Sequence, residues 1–192
     1  MTAQDSSRFP DAPPIVVWND ASTDRFFGAA SSARQPHNMI DGLVYASPPP
    51  SEDHEDAVYA IEAALKAFQR EHGGRVIRVR LDCWLNETTI VQPDTGYVVA
   101  ERTNLIGSYL RGAPDLAVEV VTPGSRQFDC EAKFDVYGKN GVREAWFVDL
   151  DRKQITVVNG DGTAWSSEQV VKFGEDVPSQ IVSVRDANLT SD

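Results

Sequence analysis

The chain has 192 residues, 41% of them hydrophobic, which suits one folded domain and is too apolar for a disordered chain. No apolar run reaches the roughly 20 residues that span a membrane, and the polar start lacks a secretory signal, so we predict a cytoplasmic protein with no membrane partner. The formal net charge of −11 argues against a protein that binds nucleic acid mainly through a basic surface.

The excess of acids is uneven: residues 1–60 hold nine acids against three Lys and Arg, whereas residues 101–147 hold seven against six. A locally basic cleft or a bound cation would therefore still allow contact with nucleic acid. Cys83 and Cys130 lack the spacing of a zinc site or a disulfide framework, so we predict two small core residues. We expect a flexible tail over 1–14, a single domain over 15–186 and a flexible end over 187–192.

The first half of the chain combines short strands with one long helix. Apolar residues recur at helical spacing over 52–72, acids occupy the first turn and two glycines follow, which predicts a helix. Alternating apolar and polar residues over Ile77–Leu85 predict a half-buried strand. The other segments are an apolar run at Ile15–Trp18, an unassigned stretch over 19–36, a strand with a turn at Met39–Ala46, strands at Thr88–Gln92 and Tyr97–Ala100, and a loop or short helix at Asn104–Ala113.

The second half begins with Leu116–Val121, which is apolar on both faces and therefore predicts a central strand. A helix is predicted over Arg126–Tyr137, and a hairpin over Ala145–Leu150 and Gln154–Val158, with further short strands up to Val184. This order predicts an α/β (α+β) fold in which a mixed central β-sheet is flanked by helices and carries extra β-hairpins.

Glu119 is the one charged residue in the predicted central strand. A buried carboxylate is costly unless it is paired or bound to a metal ion. The alternative interpretation is a buried acid that an arginine or backbone donors satisfy. Glu119 is therefore a candidate site residue.

Lys133 falls within the apolar arc of its predicted helix, between Val136 and Tyr137, so we expect it to point inward at an anion. Alternatively, it pairs with Asp129 at the surface, or its stem lies along apolar surface with the amine in water. Asp94 lies at a strand end, where by itself it is more typical of a turn. Two carboxylates and a lysine together suit a hard cation that activates water beside a phosphate.

Four segments, in order, resemble the Uma-type restriction endonuclease family of the PD-(D/E)xK nuclease superfamily. They are VQPD (91–94), LRGAPDLAVEVVTP (110–123), DCEAKFDVY (129–137) and GVREAWFVD (141–149). The resemblance extends over about two thirds of the chain. It implies a restriction-endonuclease-like fold and an endonuclease, dependent on Mg²⁺ or Mn²⁺, that hydrolyses phosphodiester bonds in DNA.

On this resemblance, Asp94 matches the family's metal-binding aspartate and Glu119 its second acidic ligand. The usual lysine of the superfamily would fall at Val121, but the family pattern places it on the following helix, where Lys133 stands. His54 matches a polar residue that the family often has, and we expect it either to face the site or to bond locally at the helix start.

Asp129 and Glu144 are further accessory candidates, and Glu144 would either orient the lysine or cap its strand. Leu43 stands where the family commonly has a glutamate, a departure that bears on the number of metal ions. Three interpretations follow. The first is a metal-dependent nuclease, as a homodimer if it cuts both strands; the second is a non-catalytic binding or regulatory module of the same fold; the third is a buried Glu119–Lys133 ion pair without a metal.

Overall fold

The computed structural model describes residues 37–46, 49–78, 81–122, 128–184 and 189. The predicted tail, the apolar run at 15–18, the stretch over 19–36 and nearly all of the predicted C-terminal end lie outside these residues. For His37, Ala46 and residues 128–130 only the backbone is described. The predicted division into tail, domain and end therefore stays a prediction.

Two helices, a 3₁₀ helix, a π-helix and eleven strands make up the described part of the chain. The helices are α1 (Glu52–His72), the 3₁₀ helix Ala100–Leu105, the π-helix Phe128–Lys133 and α2 (Phe134–Lys139). The strands are β1 (His37–Ile40), β2 (Leu43–Ala46), β3 (Arg75–Ile77), β4 (Cys83–Asn86), β5 (Thr89–Val91), β6 (Thr95–Val98), β7 (Leu110–Arg111), β8 (Leu116–Val121), β9 (Glu144–Asp149), β10 (Gln154–Gly160) and β11 (Trp165–Lys172).

The larger sheet has six strands in the order β11-β10-β9-β8-β6-β3. Strands β8 and β9 are parallel and are joined through the π-helix and α2, whereas the other neighbours are antiparallel. All six residues of β8 are buried, as expected for a central strand that is covered on both faces. The predicted mixed fold with a central strand at Leu116–Val121 is confirmed.

The two faces of β8 pack against different helices. Leu116, Val118 and Val120 share a core with α1, which buries Ile61 and Leu65 against the sheet. The residues between them, Ala117 and Val121, belong to a second core that includes Val136 and Tyr137 of α2. Because strand side chains alternate, Glu119 lies on the α2 face.

The smaller sheet has five strands in the order β2-β1-β5-β4-β7. Its first hairpin turns at Asp41 and Gly42, both of which have positive φ (50° and 77°), as a two-residue type I′ turn requires. The predicted strand with a turn at Met39–Ala46 is therefore confirmed as β1 and β2. The sequence indicated extra hairpins but not that they join into a second sheet.

The single strand predicted over Ile77–Leu85 is wrong. Ile77 ends β3 at the edge of the larger sheet, whereas Cys83 begins β4 in the smaller one. The alternating segment is divided because the chain passes from one sheet to the other between Ile77 and Cys83. The spacing of apolar residues indicates which side of a strand is buried, but it does not indicate which strand pairs with it.

Other boundaries differ less. The predicted helix over Arg126–Tyr137 is a π-helix followed by α2, which ends two residues later, at Lys139. The predicted loop over 104–113 contains the end of the 3₁₀ helix and the short strand β7. The further short strands predicted up to Val184 are one eight-residue strand, β11, with irregular chain after it. Among the described helices, none combines the length and apolarity that crossing a membrane requires.

Candidate active site

Glu119 lies in the middle of β8 with 1% of its surface exposed. Both carboxylate oxygens are bonded by side chains from the helical segment that follows β8. The Nζ of Lys133 donates to Oε2 at 2.6 Å, and the hydroxyl of Tyr137 donates to Oε1. The buried ion pair between Glu119 and Lys133 is therefore present. It involves the same carboxylate that a metal-dependent nuclease would use as a ligand.

Lys133 is the last residue of the π-helix and is 3% exposed, so its amine faces the protein interior. Besides Glu119, the amine reaches the backbone carbonyl of Gln92 at 3.5 Å. Single π-turns often occur at functional sites, because the extra residue per turn changes the direction of a side chain. The prediction that Lys133 points inward at an anion is confirmed.

Asp94 lies at the bend between β5 and β6. The antiparallel register of β6 and β8 pairs Thr95 with Val118, so one further step places the backbone of Asp94 opposite Glu119. Its Oδ2 accepts a hydrogen bond from the backbone N–H of Val120 at 2.8 Å. The side chain of Asp94 thus takes the place of the backbone carbonyl that a longer β6 would offer to β8. The two acids are therefore cross-strand neighbours, an arrangement that like charges destabilise.

The surroundings of Asp94 favour its ionised form. Oδ2 also contacts Nε2 of His54 at 3.1 Å, and the side chain as a whole is 23% exposed. Burial raises the pKa of this carboxyl, but the hydrogen bond with His54, the charge of Lys133 and the N–H of Val120 outweigh burial and leave the pKa below its ordinary value. Asp94 is consequently a carboxylate at neutral pH.

This donor set fits a hard divalent cation. Both hydrogen bonds to Asp94 end on Oδ2, which leaves Oδ1 for a further ligand. Within the described residues no three His, Cys, Asp or Glu side chains are grouped closely enough to hold a metal ion. Mg²⁺ commonly binds through only one or two carboxylates, with water and substrate phosphate completing its shell. Asp94 and Glu119 are the residues that would hold such a cation.

The accessory candidates are placed very differently. His54, in the first turn of α1 after the N-cap Ser51, faces Asp94 directly. Glu144 pairs in register with Leu116, so it lies on the α1 face of the sheet, opposite to Glu119. Its carboxylate accepts the indole N–H of Trp146 and the N–H of Gln180, both at 2.7 Å. It stays outside the candidate site.

Four other residues complete the comparison with the sequence analysis. The side chain of Asp129 is outside the described part of the chain. Leu43 begins β2, next to the hairpin turn, and supplies no oxygen ligand. Cys83 is fully buried, as predicted for a core residue, and burial raises the pKa of its thiol. The prediction for Cys130 falls on a side chain that is not described.

Sequence reasoning missed Tyr137 as a site residue and counted it as part of the apolar stripe. It lies four residues after Lys133, and side chains at this spacing occupy the same helix face. A tyrosine at such a position carries a hydroxyl that needs a partner when it is buried. That signal was in the sequence, although only the fold identifies the partner as Glu119.

Comparisons with known proteins agree with this fold. The model of the Uma2 family, described as "Putative restriction endonuclease", matches residues 26–189. A crystal structure of a "putative nuclease belonging to DUF820" from Anabaena variabilis superposes with a TM-score of 0.74 and 16% identity, covering 88% of this chain and 97% of the other. At that identity the likeness establishes a shared fold. No curated protein matches the chain.

Proposed function

This chain belongs to the Uma2 family, and on that premise we propose that it is a metal-dependent endonuclease that hydrolyses phosphodiester bonds in DNA. The catalytic residues of the proposal are Asp94, Glu119 and Lys133. One observation carries it. A carboxylate buried in a central strand is held against a buried lysine, and a second carboxylate lies across from it, at the bend just before the neighbouring strand β6. A hydrophobic core has no need of such an arrangement.

Asp94 and Glu119 would hold the cation, Mg²⁺ or Mn²⁺. When bound, such a cation supplies a more acidic water and neutralises charge that develops on the phosphate. It would also relieve the repulsion between two cross-strand carboxylates. His54 bonds to Oδ2 of Asp94 and so fixes the direction in which that carboxylate presents Oδ1.

Lys133 would act on the substrate. Its amine stands between Glu119 and the carbonyl of Gln92 and, because it is almost fully buried, its charge is little screened by water. A preorganised cation in such a site stabilises negative charge in a transition state more strongly than it would in water. An incoming phosphate would offer the lysine a further anionic partner.

The proposed partner is DNA, although the formal net charge is −11. An acidic protein gains little from general attraction to phosphates, so the cation would supply much of the local attraction. A homodimer would allow both strands to be cut. We also propose that the reaction takes place in the cytoplasm.

A non-catalytic binding or regulatory module of the same fold is the second candidate. Two observations favour it: Leu43 stands where the family commonly has a glutamate, and the chain as a whole is acidic. Such a module would keep the buried Glu119–Lys133 pair for stability alone. The two candidates differ in whether phosphodiester bonds are broken.

The proposal is tested by calorimetry with Mn²⁺ and by nicking of supercoiled plasmid. We expect the wild-type protein to bind Mn²⁺, and Glu119→Ala to lose that binding. Plasmid nicking should require the cation and fall at least about a hundredfold in Lys133→Met, a change that keeps the apolar stem. The matched control is Lys139→Met, because Lys139 is an exposed lysine of the following helix α2 that pairs with Asp135.

Circular dichroism must show that each variant is folded at the assay temperature, since removing one member of a buried ion pair is strongly destabilising. Mn²⁺ binding without nicking would favour the binding module. If neither the wild-type protein nor Glu119→Ala bound Mn²⁺, the metal-dependent nuclease would be refuted.

A further inference from the structure

The hydroxyl of Tyr137 is the second donor to the Glu119 carboxylate, and no step of the proposed reaction uses it. Tyr137 is fully buried in the core on the α2 face, together with Ala117 and Val121 of β8. Its hydroxyl donates to Oε1 of Glu119 while Lys133 donates to Oε2. The two donors are four residues apart in the same helical segment, so they reach the carboxylate from the same side.

A single donor would not fix the plane of this carboxylate. The last torsion of a glutamate joins an sp³ to an sp² carbon and has broad minima, so the carboxylate turns easily. A donor on each oxygen fixes that torsion.

The two donors are not equivalent. The lysine amine sits on a flexible stem and also reaches the carbonyl of Gln92, and it is the group expected to turn toward a substrate phosphate. The tyrosine ring is packed in the core and has two torsions. A tyrosine hydroxyl is protonated at neutral pH, so this group remains a donor to Glu119.

We propose that Tyr137 is a positioning residue that holds the Glu119 carboxylate in its cation-binding orientation, including when Lys133 turns to the substrate. This inference rests on the proposed function, since it presumes that Glu119 is a metal ligand. Groups that orient metal ligands through hydrogen bonds typically change metal affinity by about 10- to 100-fold when they are removed.

The test is Mn²⁺ binding to Tyr137→Phe, which removes one hydroxyl and keeps the packed ring. We expect the dissociation constant, measured by calorimetry on the full chain, to rise by about 10- to 100-fold. The matched control is Tyr97→Phe. Tyr97 is also buried, but its hydroxyl donates to the backbone carbonyl of Gly73, at the end of α1. The control should lose stability and keep its affinity for Mn²⁺ within about twofold of wild type.

For a variant that is partly unfolded, the affinity for Mn²⁺ can instead be compared through the rise in melting temperature with Mn²⁺ concentration. A ligand that binds only the folded state stabilises that state by an amount that depends on its affinity. An unchanged dissociation constant in Tyr137→Phe would overturn the inference and leave Tyr137 a structural residue. A lower one would also overturn it, because the hydroxyl would then compete with the cation for Oε1.

These outcomes are separable from failure of the proposed function. If the wild-type protein binds Mn²⁺ and Glu119→Ala does not, an unaltered affinity in Tyr137→Phe refutes only the role of Tyr137. If the wild-type protein takes up no Mn²⁺, the metal site itself is refuted, and the positioning role with it.

Discussion

The carboxylate of Glu119 is stable in the interior because its neighbours replace the water it has lost. Moving one charge from water into the protein costs several kcal/mol, and an ion pair recovers this cost only when its geometry is good and the remaining polar atoms are bonded. Here Lys133 and Tyr137 each bond one oxygen of Glu119. The same contacts hold the acid in a single orientation, which connects its stability to its proposed role.

A second acid, Asp82, is partly buried but forms no ion pair among the described residues, so the effect of burial on its pKa prevails. Asp82 precedes β4 and accepts a hydrogen bond at 2.7 Å from Nε2 of Gln92, the residue whose backbone carbonyl contacts Lys133. Burial raises the pKa of Asp82, and the bond from Gln92 lowers it by a smaller amount. The net pKa is raised, so the folded protein holds this proton more tightly than the unfolded chain does.

This sign predicts how stability depends on pH. Below the unfolded-state pKa, about 3.9, the acid is protonated in both states and carries no penalty. As the pH rises through the folded-state value, ionisation costs stability. Asp82→Asn, which retains an oxygen to accept the bond from Gln92, should therefore raise the free energy of unfolding at pH 7. Chemical denaturation at pH 7 and pH 3 measures this, and an equal gain at both would contradict the explanation.

At the scale of elements, the site depends on the close approach of β6 and β8. Gly96 of β6 pairs with Ala117, and a Cβ built on this glycine would lie 2.3 Å from the carbonyl oxygen of Leu116. Because the obstacle is backbone, it cannot turn aside as a side chain would. The glycine thereby permits the register that brings Asp94 opposite Glu119.

Gly96→Ala should force the two strands apart. We expect a loss of about 1–3 kcal/mol in the free energy of unfolding, as for overpacked cores, together with weaker Mn²⁺ binding because Asp94 moves away with β6. Urea denaturation and calorimetry measure the two effects.

The control for that experiment is Gly107→Ala. Gly107 is exposed, and its Cβ would meet nothing nearer than the carbonyl oxygen of Tyr109 at 3.9 Å. Its effect should stay within about 0.5 kcal/mol. Equal losses in both alanine variants would contradict this explanation, because only the Cβ at position 96 would meet backbone at short distance.

At the scale of the whole molecule, the acidic charge determines how DNA would be approached. With a formal net charge of −11, the protein should repel phosphates unless a cation lies at the contact. We therefore predict that an intact duplex binds at least about tenfold more tightly with Mg²⁺ than with EDTA at equal ionic strength. Filter binding at low temperature measures this before cleavage proceeds.

Glu119→Ala is the reference in the same assay. Since it lacks one of the two proposed ligands, its affinity for DNA should be equally low with and without Mg²⁺. Tight binding of wild type in EDTA would instead indicate a basic surface that acts independently of the cation.

The sequence by itself determined the local elements and the chemical types at the site. Helical spacing predicted α1, because a helix buried on one face has apolar residues at regular intervals. An apolar run predicted β8, because a strand buried on both faces is apolar throughout. The same reasoning singled out Glu119 and Lys133, since a charge at a position that must be buried conflicts with its surroundings. Asp94 by itself was typical of a turn, and the resemblance to a family gave it a metal-binding role.

Only the tertiary structure decided which partners meet. Strand pairing joins residues that are distant in sequence, so periodicity could neither divide Ile77–Leu85 between two sheets nor place Asp94 opposite Glu119. It also could not separate Glu144 from the site, because the face of a strand is defined only once its neighbours are known. The same holds for Tyr137. Its position on the helix could be predicted from the sequence, but its partner Glu119 lies on another element, β8.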